Sequence, residues 1–241
     1  MNKKVIYTAI FGDDQYLHDP DIIPEGFDFI CFTNNENYKS DIWKTIKVTP
    51  LYEHNGMNNR KYKVLPHRYL SNYDFSIYAD GDLKIIGDLG KLHETYKNSL
   101  SSAFDHSLCG INVTGNMNTR NCIYDEANFI KKMGEIHGHY KDNIDVIFKQ
   151  MNEYIAEGYP SKNGLTRTSL LLRYHNNPHI IKVMESWWNS LKYGSKRDQL
   201  SFPYVVWKHK LKHTLIPEDI DYNPWVKLMK KWRVEQLLKK S

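Results

Sequence analysis

Residues 75–85, FSIYADGDLKI, form an apolar run of strand length that ends at two carboxylates placed around one glycine. A β-branched and aromatic run of this kind is typical of an inner strand of a parallel sheet. In open α/β sheets the ligand crevice lies beyond the carboxyl ends of the strands. Because Asp80 and Asp82 follow such an end, we expect both side chains to face a ligand and not the core.

Three similar runs lie upstream, at residues 3–12 (KKVIYTAIFG), 27–34 (FDFICFTN) and 43–50 (WKTIKVTP). Between them and residue 75, the segment 58–70 has the spacing of a helix, with Asn58 or Asn59 as a possible N-cap. Pro66 argues against a regular helix over the whole segment. The second half of the chain is rich in helical patterns, at residues 121–133, 144–158 and 180–191. The order predicts an α/β protein: an open, mostly parallel sheet flanked by helices, with a helix-rich C-terminal half.

Length and composition indicate one globular domain over residues 1–241. Hydrophobic residues make up 41% of the chain and charged residues 25%, which excludes a disordered or fibrous chain. The sequence contains no apolar run of the ~18 residues that a membrane span needs, and acidic residues follow the start too soon for a signal peptide, so a cytoplasmic location is expected. Cys31, Cys109 and Cys122 lack metal-site spacing and are expected to be buried thiols.

The C-terminal end is strongly basic, with six Lys or Arg and one Glu in residues 226–241. Trp225, Leu228, Met229 and Trp232 have helical spacing, which predicts a basic amphipathic helix over 225–240. Such a helix could lie on a membrane interface, giving peripheral contact with the inner face of the membrane, or pack on its own domain. No recognised DNA- or RNA-binding motif accompanies the charge, so no nucleic-acid partner is expected.

Asp80 and Asp82 together suit a hard divalent cation. Mn²⁺ or Mg²⁺ takes one or two protein carboxylates and completes its shell with water and substrate phosphate, and Gly81 leaves room for a close approach of the backbone. The alternative is an ordinary Asp-Gly-Asp turn, which is favoured for these three residues alone. Arg60 and Lys63 lie just upstream and could neutralise a diphosphate, which favours the cation site.

Seven blocks of sequence occur in an order that resembles a glycosyltransferase-like family long catalogued as a domain of unknown function, with members in bacterial surface-polysaccharide settings and in plants. The blocks span residues 5–208 and read VIYTAIFGD, DFICFTN, NRKYKVLPH, SIYADGDLKI, RNCIYDEA, EGYP and RDQLSFPYVVW. The resemblance implies a GT-A-like (Rossmann-like) fold, in which the D-x-D motif binds a metal and the diphosphate of a sugar nucleotide.

The resemblance also implies roles for matched residues at the donor site. Asp80 and Asp82 would bind the metal, and Arg60 and Lys63 would contact the diphosphate, with His67 either structural or directed at the same groups. The nucleotide base and ribose would be bound at the ends of the first two strands, by Thr8, Ala9, Phe11, Gly12 and Thr33. The alternative for the two threonines is capping of the strand ends.

The block RDQLSF supplies Asp198 and Gln199, which by resemblance would meet the transferred sugar or the acceptor. Asp198 is the candidate catalytic residue, either as general base toward an acceptor hydroxyl or as a group that holds the donor sugar. Its alternative is a helix N-cap or a surface ion pair with Arg197. His106 and Arg120 are uncertain members of the site, because the spacing around them departs from the family pattern.

The sequence therefore predicts a metal-dependent glycosyltransferase that moves a sugar from a nucleotide-diphosphate sugar to a hydroxyl of a glycan or lipid-linked acceptor in surface (capsule) polysaccharide biosynthesis. One alternative is a sugar-1-phosphate nucleotidyltransferase, although the single glycine in TAIFGDDQ is not a Gly-rich phosphate loop. The other is a non-catalytic carbohydrate-binding protein, whose ligand would bind without metal.

Overall fold

A computed structural model describes residues 3–12, 16–109, 120–140 and 142–229. Its main element is a seven-stranded sheet with the strand order β3-β2-β1-β4-β7-β6-β8. The strands are β1 (Lys4–Ile10), β2 (Phe27–Thr33), β3 (Lys44–Lys47), β4 (Phe75–Ala79), β6 (Ser101–Asp105), β7 (Thr166–Arg173) and β8 (His213–Ile216). A separate pair consists of β5 (Leu83–Ile85) and β9 (Val226–Leu228).

The main sheet is mostly parallel. Strands β1 to β4 pair in parallel with one another, and β6 pairs in parallel with β8. Strand β7 runs the other way between β4 and β6. This confirms the predicted α/β class, and it brings the beginning of β7 to the edge where β1 and β4 end.

Both faces of the sheet are covered, as the alternation along β1 requires: Val5 and Tyr7 belong to one buried cluster, Ile6 and Ile10 to the other. Helices supply most of the first cluster, whereas the second contains residues of α2 and of the β5–β9 pair. The helices are α1 (Asn55–Val64), α2 (Leu89–Tyr96), α3 (Ile123–His137), α4 (Ile144–Ala156), α5 (Pro178–Tyr193) and α6 (Asp198–Lys208), and single turns of 3-10 helix lie at Pro66–Arg68 and His106–Leu108.

The helix predicted over 225–240 does not begin at Trp225, because Val226–Leu228 form strand β9, which pairs antiparallel with Leu83–Ile85. The helical spacing of Trp225 and Leu228 was misleading, since tertiary pairing overrides local pattern in so short a segment. The remainder of that prediction, residues 230–240, lies outside the described residues.

The predicted helix-rich half also contains strands β7 and β8, which complete the main sheet together with β6. Helix α1 begins earlier than predicted, with His54 as its N-cap. Asn58 lies inside α1 instead, where its amide group bonds the backbone of Leu51 and Tyr52. The three cysteines are buried thiols, as expected. Among the described residues, no helix is both long and apolar enough to span a membrane.

Candidate active site

A polar cavity of about 440 Å³ opens at the carboxyl end of β4. The backbone N–H of Asp80 donates to the Ser169 carbonyl of β7, and the Asp80 carbonyl accepts from Leu83 to close a turn. The Asp82 carbonyl accepts from Met229, just after β9. Asp80-Gly81-Asp82 is therefore a turn, as the structural alternative predicted. Both of its carboxylates also line the cavity, as expected from their position after the end of a strand.

The surroundings of Asp82 disfavour its charged form. Burial, and then the negative charge of Asp80, raise the pKa of Asp82 from 3.8 to about 6, although Arg167 and Lys63 act in the opposite direction. Two like charges in one partly desolvated site repel each other, and a cation relieves that repulsion. The pair is thus arranged to gain from binding a positive ligand.

Lys63 lies at the centre of the cavity wall, with its side chain only 3% exposed. Its ammonium group donates to Asp198 Oδ2 at 2.6 Å and to Asp80 Oδ1 at 3.2 Å. Arg60 precedes it by one helical turn on α1 and lines the same cavity, because residues at i and i+3 share a helix face. Helix α1 therefore presents both predicted cations to the two carboxylates.

The backbone of Lys63 is fixed by a buried guanidinium. Arg173, which is fully buried on β7, donates to the Lys63 carbonyl at 2.7 Å and to the Tyr7 hydroxyl oxygen at 2.6 Å. The Tyr7 hydroxyl in turn donates to the same carbonyl at 3.1 Å. Among the described residues, no carboxylate lies within ion-pair distance of Arg173, although burial of an unpaired cation is costly.

Asp198 is the first residue of α6, and Arg197 occupies the N-cap position. The carboxylate of Asp198 accepts from Lys63 and, at 3.0 Å, from the Thr168 hydroxyl, and Arg60 lies 3.9 Å away. Burial alone would raise the pKa of Asp198, but the charges of Lys63 and Arg60 outweigh it and hold that pKa well below its usual range. Asp198 is therefore a buried, ionised partner of Lys63.

Further residues that were not singled out from the sequence line this cavity. Arg167, Thr168 and Ser169 come from the beginning of β7, Asn59 from α1 and Arg197 from the residue before α6. The β7 residues reach the site because β7 is antiparallel to its neighbours. The only local sequence signal for β7 is the apolar run Leu170–Leu172, which follows these cavity residues and does not include them.

The predicted base and ribose residues lie elsewhere, at the ends of β1 and β2, and do not line this cavity. Thr8, Ala9 and Phe11 are buried, and Thr8 Oγ1 has no hydrogen-bond partner. Gly12 has φ +81°, and its N–H donates to Asn34. Thr33 Oγ1 accepts from the Asn35 N–H, which is a capping contact.

His67 is directed away from the cavity. Its ring nitrogen lies 2.8 Å from Glu185 Oε1, and Arg68 donates to both oxygens of the same carboxylate.

Trp187 and Trp188 of α5 are buried, and Trp187 packs on Phe202. These side chains stabilise the contact between α5 and its neighbours.

The described residues contain no group of three His, Cys, Asp or Glu side chains arranged to bind a metal ion. Asp80 and Asp82 nevertheless suit Mg²⁺ or Mn²⁺, which keep several waters and use one or two carboxylates with substrate phosphates. The raised pKa of Asp82 is the observation that supports this fit, because a bound cation would replace the proton.

The mostly parallel sheet, with carboxylates and cations in the crevice at its carboxyl end, defines a GT-A-like glycosyltransferase architecture. The fold is similar to the solved structure of mouse xyloside xylosyltransferase 1 in its apo form, with a TM-score of 0.50 and 10% sequence identity over 89% of this chain and 84% of that one. Residues 31–230 match the family described as TOD1/MUCI70, glycosyltransferase-like domain. The chain belongs to this family, and its enzyme class is glycosyltransferase. No curated protein matches it.

Proposed function

We propose that this protein transfers a sugar from a nucleotide-diphosphate sugar to a hydroxyl of a glycan or lipid-linked acceptor, with Mn²⁺ or Mg²⁺ bound by Asp80 and Asp82. The observation that carries the proposal is a single cavity whose described wall combines three carboxylates, Asp80, Asp82 and Asp198, with four cationic side chains. These cations are Arg60, Lys63, Arg167 and Arg197.

Asp80 and Asp82 would hold the cation, and the cation would supply Lewis-acid stabilisation of the departing diphosphate. The residues of this chain would provide the rest of the electrostatic stabilisation. In the transfer, the bond between the anomeric carbon and the diphosphate oxygen breaks, a bond forms from the anomeric carbon to the acceptor oxygen, and the acceptor proton passes to the departing diphosphate or to solvent. Charge develops on the leaving diphosphate, so fixed cations beside it lower the barrier.

Arg60 is placed to bind a diphosphate oxygen. It stands one helical turn from Lys63, and its Nε is buried without a hydrogen-bond partner. Lys63 is almost fully buried and already paired with two carboxylates, so its main effect would be to hold Asp80 and Asp198 in position. Arg167 and Arg197 would bound the opposite side of the cavity.

For Asp198, the contacts favour holding the donor sugar over acting as general base. A carboxylate whose pKa lies far below neutrality is a weak proton acceptor, and one oxygen of Asp198 already accepts from both Lys63 and Thr168. Gln199 lies beside it on the cavity wall, with its Nε2 buried and unpaired, and could donate to a sugar hydroxyl. The proposed nucleotide pocket with Thr8, Ala9, Phe11, Gly12 and Thr33 rests on the sequence resemblance, since these residues do not line the cavity of Asp80 and Asp82.

The proposed setting is surface-polysaccharide synthesis in the cytoplasm, with contact to the inner membrane face. It is supported by the resemblance of the seven sequence blocks and by the basic composition of residues 226–241. The mouse protein of similar fold is named as a xylosyltransferase, which suggests a pentose as one of the donor sugars to test.

The test is to incubate the protein with a panel of nucleotide sugars and Mn²⁺ and to measure the nucleoside diphosphate released, in wild type, Asp80→Asn and the exposed control Asp41→Asn. Release that needs Mn²⁺ and is lost only in Asp80→Asn supports the proposal. Formation of a nucleotide sugar from a nucleoside triphosphate and a sugar phosphate would instead identify a nucleotidyltransferase. Sugar binding without metal dependence, unaffected by Asp80→Asn, would indicate a carbohydrate-binding protein.

A further inference from the structure

A second cavity, of about 260 Å³, lies directly beside the first. The two cavities share three wall residues, Arg167, Arg197 and Gln199. Its size is below that of a site for a drug-sized ligand, so it suits a terminal sugar unit better than a long segment of glycan. A ligand in it would lie next to the carboxylates and cations of the first cavity.

The wall of the second cavity combines apolar and polar side chains. Phe129, Ile130 and Met133 of α3 form its apolar side, and the same helix also contributes Glu126 and His137. The polar lining includes His106, which burial and then the neighbouring arginines keep neutral by lowering its pKa to about 3. A wall with both apolar and polar groups suits a sugar ring, which has a C–H face and a rim of oxygens.

The fixed charges on the wall are mostly positive. Glu126 is the one carboxylate of the described wall, and its side chain is only 4% exposed. Arg120 donates to one of its oxygens, and Arg197 lies 3.9 Å from the other. Arg167 adds a third guanidinium. Three cations against one carboxylate give the described wall of this cavity an excess of positive charge, although Arg167 and Arg197 also face the carboxylates of the first cavity.

Two buried donors on the shared wall have no acceptor. Arg197 Nε and Gln199 Nε2 are both buried and make no hydrogen bond. A buried donor without a partner costs free energy, so a ligand that supplies an acceptor gains affinity. A ligand oxygen at the junction of the two cavities would satisfy them, and an anionic oxygen would also neutralise the excess charge.

We propose that the second cavity binds the acceptor sugar and that this sugar carries an anionic group, a carboxylate or a phosphate. Calling this sugar the acceptor rests on the proposed transfer function. Binding of the sugar itself requires neither the donor nor a metal. The apolar side of α3 would pack on the ring, while Arg120 and Arg197 would face the anionic group.

The test uses ligand-detected NMR on the full chain without donor or metal. The probes are methyl glucuronide, a hexose monophosphate and methyl glucoside, which share a pyranose ring and differ in charge. We expect at least one anionic probe to bind about tenfold or more tightly than the glucoside. The anionic probe that binds more tightly identifies carboxylate or phosphate as the group recognised.

Three variants locate the binding. Met133→Glu adds a negative charge to the apolar side without removing an ion pair, and is expected to weaken anionic-probe binding about tenfold or more. Asn128→Glu adds the same charge at an exposed position on α3, outside the cavity, and is expected to leave binding unchanged. Arg60→Gln alters only the first cavity and should also leave it unchanged.

Three results would overturn the inference. The glucoside and the anionic probes could bind equally, or no probe could bind. Binding could also be lost in Arg60→Gln but not in Met133→Glu. Separate titration of a nucleoside diphosphate with Mn²⁺ distinguishes this failure from failure of the proposed function. If the anionic probe binds as expected and no nucleotide does, the sugar site stands and the transfer function falls.

Discussion

The ammonium group of Lys63 lies 2.6 Å from Oδ2 of Asp198 and thereby joins α1 to the start of α6, 135 positions later in the chain. The same group lies 3.2 Å from Asp80, at the end of β4. One nearly buried cation therefore fixes the relative positions of two carboxylates that come from distant parts of the sequence. The geometry of the candidate active site depends on this contact more than on any other.

We expect Lys63→Met to abolish most of the transfer activity, with a loss of about 100-fold or more, and to lower the free energy of unfolding by about 3 kcal/mol at neutral pH. The reason is that the substitution leaves the Asp198 carboxylate buried without its closest cation. Activity assays and urea denaturation measure the two effects. The control is Lys61→Met on the same helix, where the ammonium group lies over the rings of Tyr62 and Tyr69.

The contribution of Lys63 to stability has a defined pH dependence. Because the folded-state pKa of Asp198 is held below its ordinary value of 3.8, the stabilisation is fully present above that value and is lost as pH falls below it. Lys63→Met should therefore differ from wild type less at acidic pH. An equal loss of stability in Lys63→Met and Lys61→Met would contradict this account.

Asp82→Asn is expected to stabilise the protein near neutral pH. The folded-state pKa of Asp82 is raised from 3.8 to about 6, so the folded protein binds the proton more tightly than the unfolded chain does, and stability falls as pH rises through that interval. Removal of the charge should raise the free energy of unfolding by at most about 3 kcal/mol at about pH 7 and by almost nothing at about pH 3. Thermal denaturation at both pH values, with Asp41→Asn as the exposed control, measures the difference; destabilisation at neutral pH would count against the assignment.

Affinity for Mn²⁺ together with a nucleoside diphosphate should fall as pH falls through about 6, the pKa of Asp82. A carboxylate must lose its proton before it binds a metal, so one proton competes with the cation. We expect up to about a tenfold loss of affinity per pH unit below that value. Titrations between about pH 5 and pH 8 measure it. An affinity that does not change over this range would mean that Asp82 is not a ligand.

Arg173→Met is expected to reduce activity about tenfold or more while changing the free energy of unfolding by no more than about 1 kcal/mol. The buried guanidinium has no carboxylate partner in the described structure, so its removal relieves a desolvation cost that offsets the lost hydrogen bonds. The Lys63 carbonyl, however, loses one of its two anchors. Arg68→Met, which removes a more exposed ion pair with Glu185, is the control. Equal activities of the two variants would refute a positioning role for Arg173.

The sequence was most informative where a local pattern decides the structure. Strands β1, β2 and β4 are apolar runs with clear ends, and the rule for carboxyl ends then placed Asp80 and Asp82 in a crevice. The pairing of Arg60 with Lys63 follows from helical spacing alone. Each of these predictions depends on a pattern within one short segment of the chain.

The rest of the site depends on pairing across long stretches of chain. Strand β7 begins with the polar residues Thr166–Ser169, which do not read as a strand until they are paired with β4 and β6. Its antiparallel direction, which brings Arg167 and Thr168 to the cavity, has no local signal. The contact between Lys63 and Asp198 likewise appears only when α1 and α6 are packed.

The central claim is tested most directly by calorimetric titration of UDP, GDP and other nucleoside diphosphates into wild type and Asp82→Asn, each with and without Mn²⁺. Because Asp82→Asn is expected to fold at least as stably as wild type, a loss of binding in it reports on the site and not on the fold. The account predicts that wild type binds at least one of these nucleotides, that binding requires Mn²⁺, and that it is lost in Asp82→Asn but kept in Asp41→Asn. Binding that is independent of Mn²⁺ and unchanged in Asp82→Asn would contradict the account and leave Asp80-Gly81-Asp82 as a turn without a catalytic role.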